Sequence, residues 1–309
     1  MTTSLVTGGA GFIGSHILRA LLERGDKVRV LDNFSTGKQE NLDAVRADAD
    51  IIQADIRDAD KVAAALMDVD LVFHQAAFVS VPLSMQTPNA CLDANVNGTA
   101  ILLDEARKAN VQRVVFASSA AVYGEADAFP LTEKVPPEPT MSPYATSKRV
   151  DEIYAQLFTQ SLGLDVTALR YFNVYGPRQA PGSQYAAAVP IFISRMMQNK
   201  AVTIYGDGGQ TRDLIYVGDV VRANLMAADN KAAAGEIFNI CTGRETKILD
   251  LIESLAEIFP DAPKPIFDEP RAGDIYRSVG SAKKAKDTFS FEAKTMLLDG
   301  MKATANWMN

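Results

Sequence analysis

Short apolar runs alternate with longer helix-length stretches through the first half of the chain. Ser4 to Thr7, Lys27 to Leu31, Asp50 to Gln53, Asp70 to His74, Arg113 to Ala117 and Asp165 to Arg170 read as strands. Ser15 to Arg24, Ala59 to Met67, Asn95 to Ala109 and Tyr144 to Ser161 read as helices between them. This alternation predicts right-handed βαβ units, a parallel sheet and helices on both of its faces. The strands are almost wholly apolar rather than alternating, as expected where both faces are covered. The expected class is α/β, a doubly wound parallel sheet.

Beyond Arg170 the pattern changes. Tyr175 to Ala188, Ala201 to Thr211 and Ala262 to Gly273 are rich in Gly, Pro and polar residues. They alternate with helical patterns at Ile191 to Gln198, Val217 to Ala228 and Ile248 to Phe259. Long loops between helices suggest a smaller, loop-rich domain that binds something. Glu236 to Ile240 reads as a strand returning to the main sheet. With 309 residues the chain accommodates two domains at roughly 150 residues each.

Composition narrows the partners. The net charge of −7 argues against nucleic acid or an anionic membrane as a partner, while leaving room for a local basic pocket. Two cysteines and two histidines, Cys91, Cys241, His16 and His74, allow neither a disulfide framework nor a Cys- or His-rich metal site. The N-terminus lacks the basic start and apolar core of a signal peptide, and no apolar run is long enough to span a bilayer. A soluble, cytoplasmic protein is expected. His74, at the end of a buried strand, is expected to be a packed, hydrogen-bonded residue rather than a base.

Gly9-Ala10-Gly11-Phe12-Ile13-Gly14 follows a strand and opens a helix, and Gly8, Gly11 and Gly14 share the same turn. Glycines there let backbone N–H groups and the helix N-terminus approach a pyrophosphate. Asp32 ends the second strand, 18 residues after Gly14, where a carboxylate accepts ribose hydroxyls. No Arg adjoins it to pair with a 2′-phosphate, so NAD is expected rather than NADP. Gly8, Gly11, Phe12, Ile13, Gly14, Asp32 and Asn33 form the expected cofactor set. Asp55 and Ile56, after the third strand, are placed to meet the adenine. Ala76 and Ala77, after the fourth, are small enough for a dinucleotide to lie close.

Tyr144 and Lys148 stand at i and i+4 of one helix. A phenol has a pKa of about 10, and a neighbouring ammonium and a cationic nicotinamide would pull it toward neutrality. The pair follows the strand Arg113 to Ala117 and the hydroxyls Ser118 and Ser119. That order sets strand end, hydroxyl and tyrosine around one crevice at the carboxyl edge of the sheet.

Together, the runs Thr7 to Gly14, Ser118 to Gly124 and Tyr144 to Lys148 resemble the extended short-chain dehydrogenase/reductases. Arg170 to Arg178, Tyr205-Gly206-Asp207-Gly208 and Arg212-Asp213 are similar to those of the UDP-hexose 4-epimerase branch, and the likeness extends from residue 3 to about Lys286. The resemblance implies an NAD-binding Rossmann domain over 1–170 and a UDP-sugar-binding domain over 171–309. It implies 4-epimerisation through a transient 4-keto sugar, with NAD retained. Tyr144 would be the acid/base, Lys148 would lower its pKa and hold the nicotinamide ribose, and Ser119 would bond the sugar 4-hydroxyl. Asn173 would meet the diphosphate region, Arg212 and Arg271 would pair with the phosphates, and Tyr205 would pack on the uracil. Two arginines in an acidic chain suit bidentate phosphate contacts. A homodimer is implied, through the helices over 95–109 and 144–161.

Sugar-nucleotide dehydratases and decarboxylases similar to this family carry acidic residues just after the catalytic hydroxyl, where this chain has Ala120 and Ala121. Methyl groups supply no further acid or base, which disfavours elimination and decarboxylation. Counted without gaps from Arg271, the family's gate beside the sugar C2 substituent falls at Ser278. A serine there leaves room for an N-acetyl group, so UDP-GlcNAc/UDP-GalNAc are expected substrates, alongside UDP-Glc/UDP-Gal. A register shift of two would set Tyr276 in the gate and reverse this expectation. Ser80, in a segment resembling the N-acetylhexosamine-accepting group, is a candidate sugar contact. A UDP-glucuronate 4-epimerase, an NAD-dependent sugar-nucleotide dehydrogenase/reductase and a non-catalytic NAD-binding regulator are the other readings.

Overall fold

The computed structural model describes residues 1–135, 139–181, 188–270 and 275–309. In its first part β1 (Thr3–Thr7), α1 (Phe12–Arg24), β2 (Lys27–Asp32), β3 (Ala49–Gln53), α2 (Ala59–Ala65) and β4 (Leu71–His74) succeed one another. There follow α3 (Val81–Gln86), α4 (Pro88–Leu92), α5 (Gly98–Lys108), β5 (Arg113–Ser119), α6 (Pro143–Leu157) and β6 (Val166–Tyr171). The remainder holds β7 (Asn173–Tyr175), α7 (Ala188–Met197), β8 (Thr203–Tyr205), β9 (Thr211–Arg212), β10 (Leu214–Tyr216) and α8 (Val217–Asp229). It ends with β11 (Ile237–Ile240), β12 (Thr246–Lys247), α9 (Ile248–Ala256), β13 (Ile266–Asp268), α10 (Lys283–Phe289) and α11 (Leu297–Met308).

Seven strands form one parallel sheet in the order β11-β6-β5-β4-β1-β2-β3. Strand order reverses between β1 and β4, and the crevice outside their carboxyl ends is where such sheets bind ligands. Adjacent strand residues feed opposite layers. Val6, Val30, Phe73, Val115 and Leu169 join α1 and α8 in one core. Leu5, Leu31, Val72, Val114 and Ala168 join α2, α5 and α6 in the other. This accounts for the continuous apolar runs in the sequence: β4, β6 and β11 are buried at every position. A third cluster, including Tyr175, Phe192, Ile204, Leu251 and Met301, lies wholly beyond residue 171.

The expected returning strand is present as β11, paired with β6. Two expected helices are each built in two parts: π-helical turns over Asp93–Asn97 and Phe158–Leu162 adjoin α5 and α6. The helices α3 and α4 are masked in the sequence by Pro82 and Pro88, which look like breaks; each stands in a first turn, where its missing N–H costs nothing. Among the described residues beyond 171, six short strands pair in twos, β10 with β7, β12 with β9 and β13 with β8. Strands of two or three residues leave too little alternation to read.

Candidate active site

The glycine turn is fixed by how closely its neighbours approach. A Cβ on Gly14 would lie 2.2 Å from the Gly8 carbonyl oxygen, and one on Gly8 would lie 2.6 Å from the Ala76 nitrogen. Gly8 also has φ +69°, which disfavours any side chain there. The α1 N-cap is Gly11, whose lack of a side chain leaves the first N–H groups of the helix uncapped. These features fit a dinucleotide: backbone donors, a helix dipole and no side chain in the way. Ala76 borders the turn, and Ala77 follows it, half-buried. Phe12 packs edge-on to His16, and Ile13 packs against the core beneath.

Through its side chain Asp32 makes two bonds within the chain. Its carboxylate accepts the Ala10 amide at 2.9 Å and the Phe34 amide at 2.8 Å, pinning the glycine turn to the end of β2. Burial pushes its pKa up against those two bonds. Asn33 donates to Asp55 at 2.9 Å, joining the ends of β2 and β3. Arg57 also holds the Asp55 carboxylate and, with Asn33, keeps it well below the usual range. The Ile56 side chain is buried against Gly98.

The two adjacent serines have opposite fates. Ser118 points into the core and donates to Glu152 at 2.7 Å; Glu152 is held in turn by both nitrogens of a fork from Arg170, at 2.7 and 2.8 Å. Ser119 ends β5 half-buried, its oxygen accepting the Ala121 amide at 3.1 Å, which leaves the O–H as a donor. The helix α6 packs against β5 and the turn after it. Ser142 caps α6 by accepting the Ala145 amide, and Pro143 opens its first turn, which sets Tyr144 in the first turn of the helix. One turn deeper, Lys148 is 2% exposed and pairs with Asp151 at 3.5 Å.

Several positioning residues leave little trace in the sequence. Asn95 is fully buried, takes the Phe78 amide at 2.7 Å and donates to Ser147 at 2.8 Å, tying the chain after β4 to α6. Ser84 accepts the Tyr144 amide at 3.3 Å. The local signal for Asn95 was a polar run, Asn95-Val96-Asn97-Gly98-Thr99, inside a helical pattern. His74 bonds Thr7 at 2.7 Å and Thr99 at 3.0 Å, and burial holds its pKa down at about 3. It is a packed, neutral histidine, as expected.

On the far side of the crevice the organiser is Asp213. Its backbone carbonyl accepts the Asn173 amide at 3.0 Å. Its buried carboxylate accepts the Thr242 amide and hydroxyl, the Gly243 amide and the Gly280 amide, at 2.8, 2.7, 2.9 and 3.3 Å. Asn173, Arg212 and the segment before Gly280 are thereby gathered. Ser278 lies half-buried in that segment. Tyr205, half-buried at the end of β8, opens a turn in which Gly206 and Gly208 have φ +77° and +74°. Ser80 caps α3, its hydroxyl oxygen accepting the Leu83 amide at 3.2 Å. Arg271 lies outside the described residues. No group of three or more His, Cys, Asp or Glu side chains suited to a metal occurs among the described residues, and no helix among them is long and apolar enough to cross a membrane.

Residues 4–241 match the model of the NAD dependent epimerase/dehydratase family. A putative UDP-glucose 4-epimerase of Methanocaldococcus jannaschii is 43% identical over 98% of this chain and 97% of its own. The crystal structure of a UDP-glucose 4-epimerase from Thermotoga maritima, with UDP-glucose, superimposes with a TM-score of 0.94 at 40% identity, covering 99% of this chain and 98% of that one. A UDP-N-acetylglucosamine 4-epimerase from Methanobrevibacter ruminantium M1, in complex with UDP-N-acetylmuramic acid, gives 0.95 at 38% identity, with 99% and 98% covered.

Proposed function

The chain belongs to the NAD dependent epimerase/dehydratase family and is an NAD-dependent UDP-sugar 4-epimerase, and within that class we propose that it takes UDP-GlcNAc/UDP-GalNAc, with UDP-Glc/UDP-Gal as further substrates. When bound, NAD supplies a reversible hydride acceptor beside the sugar C4. Gly8, Gly11, Phe12, Ile13 and Gly14 would hold its pyrophosphate, Asp32 and Asn33 its adenosine ribose, Asp55 and Ile56 its adenine, and Ala76 and Ala77 its flank. Tyr144 would take the proton of the 4-hydroxyl and return one to the same oxygen once the 4-keto sugar has turned to offer the other face of C4 to the returning hydride, and Ser119 would donate to that oxygen. Lys148 favours the phenolate by its charge. Both steps use one proton site, so no second acid is needed where Ala120 and Ala121 stand.

Asn173, Arg212 and Arg271 bind the diphosphate and Tyr205 packs on the uracil. The observation that carries the choice of sugar is the fate of Tyr276. It is 61% exposed and its hydroxyl is bonded to the Asp207 carboxylate at 3.1 Å, in the turn after Tyr205. This supports Ser278 as the gate residue, between the Tyr276 carbonyl bonded to Thr211 and Gly280 packed on Phe172. Ser80 would be a further sugar contact. The exposed Ile153, Tyr154 and Leu157 on α6 support a homodimer built on that helix. The test compares kcat/KM for UDP-GlcNAc and UDP-Glc in the native protein and in Ser278→Tyr. The substitution should depress UDP-GlcNAc selectively, by roughly tenfold or more; equal effects on both sugars contradict the gate assignment.

A further inference from the structure

Lys148 and Asp151 form a buried ion pair, 2% and 1% exposed. Tyr144, Lys148 and Asp151 stand at i, i+4 and i+7 of α6 and so share one face. An ammonium and a carboxylate withdrawn from water this far each need a partner, and removing one leaves the other uncompensated. The pair does not end there. Thr99 bonds Asp151 on one side and His74 on the other, and His74 bonds Thr7, the residue before the glycine turn. A hydrogen-bonded chain thus runs from the Lys148 ammonium beneath the crevice to the cofactor turn.

We propose that Asp151 is a positioning residue that fixes the Lys148 ammonium under the crevice and sets how much of its charge Tyr144 feels. This deepens the reading of Tyr144 as acid/base and rests on it. Lys148 alone would present a full positive charge to the phenol; with Asp151 ionised behind it, Tyr144 feels a dipole and a weaker pull. The groups facing Asp151 are Lys148 and Glu152 from α6, Thr99 from α5 and Cys91 from α4, with His74 from β4 reached through Thr99. Glu152 is neutralised by Arg170 of β6, Cys91 is held protonated by burial and His74 is neutral. Asp151 is therefore the one group in this set whose charge is poised to change: burial pushes its pKa up to about 6, with Lys148 pulling the other way.

The test is an ultraviolet titration of the Tyr144 phenolate, taken as the difference between each protein and its Tyr144→Phe counterpart, in the NAD-loaded protein without sugar. Asp151→Asn keeps the shape and removes the negative charge, so Tyr144 should ionise about one pH unit lower than in the native protein. The acid limb of kcat should move by the same amount. Should Asn at 151 prevent folding, Asp151→Ser makes the same comparison. A purely structural role would lower stability and leave the phenol titrating where it did, which would overturn the proposal. The titration needs no turnover: a phenol that shifts in a protein inert toward UDP-sugars supports this inference and removes the epimerase reading instead.

Discussion

The floor of the crevice and its far rim are built on different principles. The floor, from the glycine turn to α6, consists of backbone approaches with no room for a methyl group and of polar side chains buried with their partners, Glu152 with Arg170 and Lys148 with Asp151. The rim beyond residue 171 consists of paired strands of two or three residues and loops gathered on one carboxylate, Asp213. A surface that grips a ligand by its own backbone suits a group that stays; side chains on short pieces suit a molecule that enters and leaves. A 4-epimerase needs both, since its cofactor is regenerated in place while the sugar nucleotide exchanges. The same contrast explains why glycine and strand motifs announce the floor, whereas the rim is recognised mainly through scattered single residues.

Three substitutions sharpen this contrast. The largest effect should come from Tyr144→Phe, which lowers kcat by about 10²–10⁴-fold, the range for a lost general acid/base. The thermal midpoint should stay near that of the native protein, because the phenol is half-buried at a helix start. Next, Arg170→Met leaves the fully buried Glu152 without its fork and should cost about 3–5 kcal/mol of stability, read by chemical denaturation. A loss under one kcal/mol would mean that Arg149, 3.0 Å from the same carboxylate, suffices. Smallest is Arg212→Ala on the rim. It should raise KM for the UDP-sugar roughly tenfold to a hundredfold, as for the loss of about 1.5–3 kcal/mol from a charge-assisted contact, with kcat and stability little changed. A fall in kcat as large as that of Tyr144→Phe would break the division between floor and rim.

Legibility followed the same line. The main-sheet strands, their parallel order and the crevice at their carboxyl ends could be read from apolar runs, because burial on both faces imposes a uniform composition. The glycine turn, Asp32 and the Tyr144–Lys148 pair could be read because their spacing is set by strand and helix geometry. Asp213, Asn95 and Asp151 could not be read as organisers. Asp213 and Asn95 act by hydrogen bonds to residues far off in sequence, such as Gly280 and Phe78, and the partner that Asp151 has beyond its own helix is Thr99; a lone polar residue carries no trace of such a partner. Ser118 and Ser119 are adjacent and chemically identical, so only the resemblance to the family singled out Ser119; that Ser118 is buried against Glu152 is seen only in the structure.

The central claim is that one retained cofactor and one phenol carry out an isomerisation with no net redox. The most direct measurement is proton NMR of the purified protein incubated with UDP-GlcNAc, UDP-Glc and UDP-glucuronate in turn, with no NAD added, while nicotinamide absorbance is followed in parallel. The account predicts appearance of the 4-epimer of UDP-GlcNAc at many turnovers per protein, with no sustained change in absorbance. Stoichiometric reduction of added NAD, or no epimer of any of the three sugars even after NAD is supplied, would contradict it.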